Sequence, residues 1–326
     1  MESSDVLRKP FLRLRLGELI VGCALLLSAA GCAAAEGGTT YAIGPDLEYK
    51  LLSAVIPKLK SGDKVTVAAG EYFDCAVITT DNVTIEGLGP NATAVFTDKT
   101  CQGKGILVIS GAHVTIRNLT LTRARVRDMN GAGIRDESPD LIVEHVKFIN
   151  NQNGILATPT PNTGRLIVRD SEFVKNGGCF PSCAHGIYAN HLELVRVERS
   201  KFSNTQQAHH IKSRALRTEV IDNTISDGDE GTASYEIDIP NGGNLLVRGN
   251  TIQKGPRAEN HTSAVMIGEE GVEQPSRELL IENNVFKNAG DYDTYFVVNM
   301  TATEAVLRGN KFSGRVTALK GDGAVQ

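Results

Sequence analysis

Three side chains able to carry charge stand at alternate positions in the segment AHHIKSRA (residues 208–215): His210, Lys212 and Arg214. On a β-strand alternate residues share a face, which puts the backbones of Lys212 and Arg214 about 6–7 Å apart. Such a pair suits chemistry on a sugar that carries a carboxylate. Removing the proton beside that carboxylate requires its charge to be neutralised and a base within reach. Repulsion from the guanidinium is expected to lower the Lys212 pKa from about 10.4, each unit making the neutral base about tenfold more available. Arg214 would grip the carboxylate in bidentate fashion. Tyr188, about 5 Å away on a neighbouring strand, would give a proton to the leaving oxygen, and His210 could share either role.

The elements that must position these groups are short and alike. GAGIRDES, QNGILATP, AHGIYANH, AHHIKSRA and SYEIDIPN align on Ile134, Ile155, Ile187, Ile211 and Ile237. If the isoleucines face a core, strict alternation turns their neighbours outward. Tyr188 and Asn190 then precede the Lys212–Arg214 pair, Glu236 and Asp238 follow it, and Arg135 with Glu137 extends the column. Arg135, Asn190, Glu236 and Asp238 are the expected substrate-binding residues. Gly133 and Gly186 fall in the same outward column, where they would leave a groove open. By the same phase His209 points inward or sits at a corner, and His185 is ambiguous. A plainer reading is that Lys212 and Arg214 simply pair with Glu236 and Asp238 on the next strand. It accounts for the charges, but not for the double histidine or for Tyr188 between a glycine and an asparagine.

A longer pattern runs beneath these segments. Leu121, Phe148, Phe173, Phe202, Ile225, Ile252, Phe286 and Phe312 recur every 23–34 residues in similar settings such as LIVRDSEF and LLVRGNTI. Two positions before them runs a polar column, Ser171, Ser200, Asn223, Asn250, Asn284 and Asn310. Repeats of this length indicate stacked coils of a solenoid, with asparagines bonding from coil to coil. No helical stretch separates the coils, which excludes doubly wound α/β folds. Three insertions, at 158–164, 175–186 and 255–278, interrupt the repeat, and in solenoids such insertions gather on the binding face.

Composition narrows the partners. The chain has 326 residues and a formal net charge of −4, so a nucleic-acid partner is not expected. Arg8, Lys9, Arg13 and Arg15 precede an apolar run from Leu19 to Leu27, the order of an export signal. Ser28-Ala29-Ala30-Gly31-Cys32 resembles the lipobox of bacterial lipoproteins, with Cys32 as the lipidated residue. Cleavage near Ala33–Ala35, giving a soluble exported protein, is the alternative. Residues 1–31 are thus expected to be a signal peptide and residues 32–44 a tether to a single domain over 45–326. Removing 1–31 leaves 30 basic and 35 acidic residues, a net −5. The expected location is the periplasm or cell surface, membrane contact being through the lipid alone, and the expected state is a monomer. Export makes Cys75, Cys101, Cys179 and Cys183 candidates for two disulfides. Three connectivities are open, of which Cys75–Cys101 with Cys179–Cys183 is the most local.

Pro45 to Lys60 has helical periodicity, with Leu47, Leu51, Leu52, Val55, Ile56 and Leu59 on one side and Pro57 ending it. The motif G-D-x-V-x-V-x-x-G-x-Y, from Gly62 to Tyr72, follows. A capping helix and this motif resemble the opening of right-handed parallel β-helix proteins of the pectate-lyase-like superfamily. The resemblance runs from the cap to Phe312. It implies an all-β solenoid whose first coil is covered by the helix. Within that superfamily, uronate lyases similar to chondroitinase B and the family-six alginate lyases use a lysine base and an arginine. Lys212 and Arg214 match these in type, although in those lyases the pair is not two apart on one strand. The resemblance also implies calcium as the one candidate cofactor, held by acidic residues such as Glu236 and Asp238. Epimerases of the alginate type share the first proton abstraction. Polygalacturonase-like hydrolases carry G-H-G and R-I-K motifs that AHGI and HHIKS only echo, and hydrolysis would fall on Glu236 and Asp238. The leading expectation is a lyase or epimerase acting on an acidic polysaccharide. The alternatives are that hydrolase and a non-catalytic carbohydrate-binding or envelope solenoid.

Overall fold

The computed structural model describes residues 38–326. The expected export signal and the expected lipidation residue Cys32 lie outside the described residues. Within them the chain winds through three parallel sheets of twelve, ten and ten strands, each coil giving one strand to each sheet in turn. This is a parallel β-helix. Sheet 1 begins at Thr40–Ile43, sheet 2 at Gly70–Tyr72, and sheet 3 at Ala76–Ile78. Sheet 3 carries His209–Ser213 between Ile187–Ala189 and Tyr235–Ile239.

The repeats align as the sequence pattern requires. In sheet 3 the registers join Ile134 to Ile155, Ile155 to Ile187, Ile187 to Ile211 and Ile211 to Ile237. In sheet 2, Leu121, Phe148, Phe173, Phe202 and Ile225 are successive partners. The phenyl rings stack along the axis, Phe148 on Phe173 at 4.6 Å and Phe173 on Phe202 at 4.4 Å between centroids. Each ring thereby leaves water on both faces, and full burial of a side chain of this size is worth roughly 1.5–3 kcal/mol. The polar column forms the expected ladder. Asn223 accepts the Ser200 N–H through Oδ1 at 2.9 Å, and Asn250 and Asn284 repeat the contact at 2.8 and 2.9 Å. Each Nδ2 also donates to a backbone carbonyl of the preceding coil, Val197, Val220 and Val247 in turn. Turn amides buried away from water are satisfied in this way.

Two boundaries differ from expectation. Thr40–Ile43, inside the expected tether, pairs in parallel with Lys64–Val67, so the solenoid starts before residue 45. The cap helix shrinks to Leu52–Val55, followed by a 3-10 turn over Ile56–Lys58 that contains Pro57. Its start has no side-chain cap, because the preceding Leu51, although extended as a cap residue should be, has no side-chain acceptor. Leu52 and Val55 still close the end of the core, while Leu47 and Leu51 are exposed. The disulfides take the local pairing, Cys75–Cys101 and Cys179–Cys183. The second closes the tip of a two-stranded hairpin, Gly178–Cys179 with Cys183–Ala184.

Candidate functional site

The site lies on the outer face of sheet 3, and its phase differs from strict alternation at one place in every coil. His209, Lys212 and Arg214 face outward, whereas both His210 and Ile211 are fully buried. Two consecutive residues therefore point into the solenoid. The residues aligned with His210 show why. A Cβ on Gly133 would lie 2.8 Å from the Phe148 ring, and one on Gly154 would lie 2.7 Å from Phe173. These glycines make room for the ring ladder inside; they do not open a groove outside. Gly186, in the same column, lies against the His210 carbonyl. Where the rings give way to Ile225 and Ile252, the same column carries His210 and Glu236.

His210 is accordingly not a surface catalyst. Its Nδ1 meets the Thr205 hydroxyl at 2.7 Å and its Nε2 meets Asp227 Oδ1 at 3.0 Å, with no side chain in the pair exposed. Glu236 is equally enclosed, 3.5 Å from the buried ammonium of Lys254. It cannot bind substrate, and it lies on the opposite side of the strand from Asp238. Burial raises the Glu236 carboxyl well above the usual range, more than Lys254 opposes it. The neutral form fits the geometry, because one of its oxygens has no partner and Lys254 donates to the other only at 3.5 Å, against 2.6 Å to the Ser234 carbonyl. Asp227 is the anion of this interior cluster. Burial works against its charge, but the hydrogen bond and charge of His210 outweigh it and lower its pKa.

Outward, the structure brings together Tyr188, Lys212, Arg214 and Asp238 and adds residues that the sequence reading missed. Lys212 Nζ donates to Asp238 Oδ2 at 2.8 Å and to Glu270 Oε1 at 2.7 Å. Arg214 donates through Nε to the Tyr188 hydroxyl at 3.3 Å, through Nη1 to Asn241, and through Nη2 to Glu270 Oε2 at 2.7 Å. Its guanidinium lies 5.8 Å from the centre of the Tyr188 ring. The side chain of Lys212 is only 8% exposed and that of Asp238 not at all, so these charges act with little screening by water. Asn190 is half-buried beside Arg214, at the same position one coil earlier. Arg135 lies two coils before Tyr188, joined through Leu156, and pairs with Glu137 at 3.3 Å. It is not part of the central cluster.

The expected lowering of the Lys212 pKa is reversed. Burial does pull it down, but Asp238 and then Glu270 outweigh burial and hold the ammonium above the usual lysine range. The two carboxylates are nearer than the guanidinium allowed for. Burial in turn pushes Asp238 up to about 7 against the pull of Lys212.

His185, His209 and Tyr235 form a second outward column, with His209 stacked on both neighbours at 4.9 and 5.1 Å. The His209 N–H donates to His185 Nδ1, and the Tyr235 N–H donates to His209 Nδ1, both at 3.2 Å. Each ring thus keeps its proton on Nε2, and His209 Nε2 lies 3.4 Å from Asp238 Oδ2. Burial, helped by nearby Lys212, lowers both histidines well below their ordinary value and leaves them neutral. Phase hid this column, since strict alternation sent His209 inward.

Glu269 and Glu270 come from the loop after Ser263–Ile267. The long insertion is in fact two loops around this strand, which pairs with Tyr235–Ile239 like any other coil. The pairing of Glu236 with Asp238 around a cation fails on geometry. Asp238, Glu269 and Glu270 instead place carboxylate oxygens within 4.8 Å of one another. Asp238 Oδ1 is buried without a partner. An all-oxygen set with an orphaned oxygen fits a hard cation such as calcium, and the Lys212 ammonium already occupies part of it.

Comparison with known proteins agrees on architecture. A family model described as a right-handed β-helix region matches residues 162–320. The crystal structure of an alginate lyase from Paenibacillus sp. strain FPU-7 superposes with a TM-score of 0.55 at 18% identity, covering 83% of this chain and 95% of that one. The pectate lyase Pel9A gives 0.50 at 10% identity, over 86% of this chain and 78% of its own. The A-module of the Azotobacter vinelandii mannuronan C-5 epimerase AlgE4 gives 0.42 at 11% identity, over 81% and 91%. No curated protein matches the sequence. The fold is a right-handed parallel β-helix.

Proposed function

We propose that this chain is a polysaccharide-active enzyme, a lyase or epimerase, that works on a glycan containing uronic acid. The observation that carries the proposal is the convergence of Lys212 and Arg214 on a single carboxylate, that of Glu270, beside the Tyr188 hydroxyl. Two nearly buried cations that already hold a carboxylate, next to a hydroxyl able to move a proton, are the parts that abstraction alpha to a carboxylate requires.

In elimination the C5–H bond and the C4–O4 bond break, a C4=C5 double bond forms, and O4 leaves with a proton. Arg214 binds the uronate carboxylate and stabilises the charge that builds as the C5 proton departs. Tyr188, whose oxygen already accepts a hydrogen bond from Arg214, takes the C5 proton as a phenolate, its own proton having passed to solvent before the step. Lys212 is held as an ammonium and is placed to protonate O4. These roles exchange the base and acid expected from sequence, because the carboxylates around Lys212 keep its proton on. His185 and His209 carry their protons on Nε2 and serve as donors toward the groove. Bound calcium would be held by Asp238, Glu269 and Glu270, and would supply charge neutralisation at the substrate carboxylate. Epimerisation shares the first step and returns the proton to the other face of C5. A hydrolase using Glu236 and Asp238 is not proposed, since the two lie on opposite sides of one strand. The export signal and Cys32 complete the proposal as a monomer at the periplasm or cell surface.

The test incubates residues 32–326 with alginate, pectate, glucuronan and glycosaminoglycans, with and without calcium. Absorbance of unsaturated ends and release of reducing sugar are followed together. A lyase gives both with one polymer and loses them by about 10²–10⁴-fold in Lys212→Ala. Reducing ends without absorbance would reject elimination and move the chemistry to Asp238, Glu269 and Glu270. Polymer binding without turnover or inversion at C5 would leave a carbohydrate-binding solenoid.

A further inference from the structure

The loop that follows Ser263–Ile267 crosses the site. Glu269 accepts from the Tyr235 hydroxyl at 2.9 Å, Glu273 meets His191 at 3.2 Å, and Gln274 donates to Asn162 at 3.1 Å. Backbone bonds from Glu270 to Pro240 and from Glu273 to Asn241 fix its path. Residues 269–273 are all exposed, so the loop tip buries no apolar side chain of its own. What it covers is buried: the side chains of Lys212 and Arg214 are 8% and 14% exposed, while that of Glu270 is 42% exposed. The Glu270 carboxylate spans the two cations, one oxygen on each at 2.7 Å. A planar carboxylate with an ammonium on one oxygen and a guanidinium on the other is the geometry a bound uronate would need.

We infer that Glu270 is a built-in stand-in for the substrate carboxylate, which an incoming uronate must displace before the site can act. The inference rests on the proposed uronate chemistry and adds the regulation of that same site. Lys212 and Arg214 stay at their places on the strand. Only the Glu270 side chain needs to leave, and its solvent exposure gives it somewhere to go. The stand-in keeps two nearly buried cations neutralised in the empty enzyme, where unpaired charge would be costly. It also sets a threshold: a ligand without a carboxylate cannot replace it, so neutral glycans are refused. The apparent Kd is raised by the reciprocal of the fraction of time Glu270 is unseated.

The experiment compares the wild-type protein with Glu270→Gln, which keeps the side chain's size and removes its charge. Binding is measured by calorimetry in the presence of a chelator, using trisaccharides of mannuronate, guluronate, galacturonate and glucuronate, with mannotriose as the neutral control. The uronate trisaccharide that binds best is expected to bind Glu270→Gln about tenfold tighter, with no change for mannotriose. Arg214→Gln should abolish uronate binding in both backgrounds. Thermal melting confirms that each variant is folded. Equal or weaker uronate binding by folded Glu270→Gln would overturn the inference. Tighter binding without turnover of any polyuronate would sink the lyase or epimerase reading and leave the stand-in intact. Turnover with unchanged binding would do the reverse.

Discussion

Two outer faces of this solenoid both carry basic side chains paired with acidic ones and differ in what lies over them. On sheet 1 one column runs Glu86, Arg117, Glu144, Arg169, Glu198, with each residue the register partner of the next. Its charges alternate and its pairs close at 3.0, 3.4 and 2.6 Å. On sheet 3 the corresponding column runs Arg135, Leu156, Tyr188, Lys212, Asp238, Met266. Arg117 and Arg169 are 41% and 36% exposed, against 8% for Lys212. On the first face each charge is answered by its neighbours in the stack and by water. On the second, two cations share a carboxylate brought in from a loop 56–58 residues away in sequence. Charge alone does not distinguish a structural ladder from a site. Cover and aromatic neighbours do separate the two faces.

The largest expected difference is in activity. Arg214→Gln and Arg169→Gln are the same chemical change on the two faces. On the polymer that the panel identifies, Arg214→Gln should lower kcat/KM by about 10²–10³-fold, the usual loss when one charge-stabilising donor is removed. Arg169→Gln should leave it within about twofold. Similar losses in both would mean that the long-range field of the solenoid, and not the local cluster, supports the reaction.

The next contrast is between the two sides of one strand. Glu236 and Asp238 are neighbours on Tyr235–Ile239, one in the interior and one at the site. Because burial raises the Glu236 pKa above its unfolded value, its contribution to stability is greatest below about pH 4.3 and is lost as pH rises through the folded pKa. Glu236→Gln mimics the neutral acid and lacks this dependence. Its stability relative to wild type should therefore climb with pH above about 4.3, by up to about 1.4 kcal/mol per unit until the native carboxyl ionises. Urea midpoints at pH 4.5, 6 and 7.5 measure this directly. A difference that stays flat would mean that Glu236 is ionised throughout and paired with Lys254.

How much of this was legible in the sequence follows from what was local. The isoleucine, phenylalanine and asparagine columns repeat in every coil, so averaging over coils made the solenoid and its register plain. The proximity of Lys212, Arg214 and Tyr188 is legible because two of them share a strand and the third aligns on the next. His210 and Glu236 were misplaced because strict alternation cannot foresee two consecutive inward residues. The signal was present, since the glycines at that position oppose phenylalanines and an interior reading explains them. Glu269 and Glu270 could not be placed from repeats at all, as their loop has no counterpart in other coils. The reversal of the Lys212 pKa had the same cause: half of its neutralising charge comes from that loop.

The smallest effect belongs to the ladder on sheet 1, and it would sharpen the comparison most cheaply. Arg117 and Glu144 meet at 3.0 Å with 41% and 22% of their side chains exposed. Water and ions reach both partners, and holding two long side chains together costs rotamer freedom. A double-mutant cycle with Arg117→Ala and Glu144→Ala should therefore give a coupling of about 0.2–1 kcal/mol in urea unfolding. Raising the ionic strength from about 0.1 to 1 M shortens the screening length from about 10 to 3 Å and should erase most of that coupling. The Lys212–Asp238 pair, at 2.8 Å with 8% and 0% exposure, is shielded from the same ions. Its coupling in a parallel cycle should change little with salt. If the two couplings fell together, the loop over sheet 3 would not be excluding solvent, and the contrast between the two faces would reduce to sequence alone.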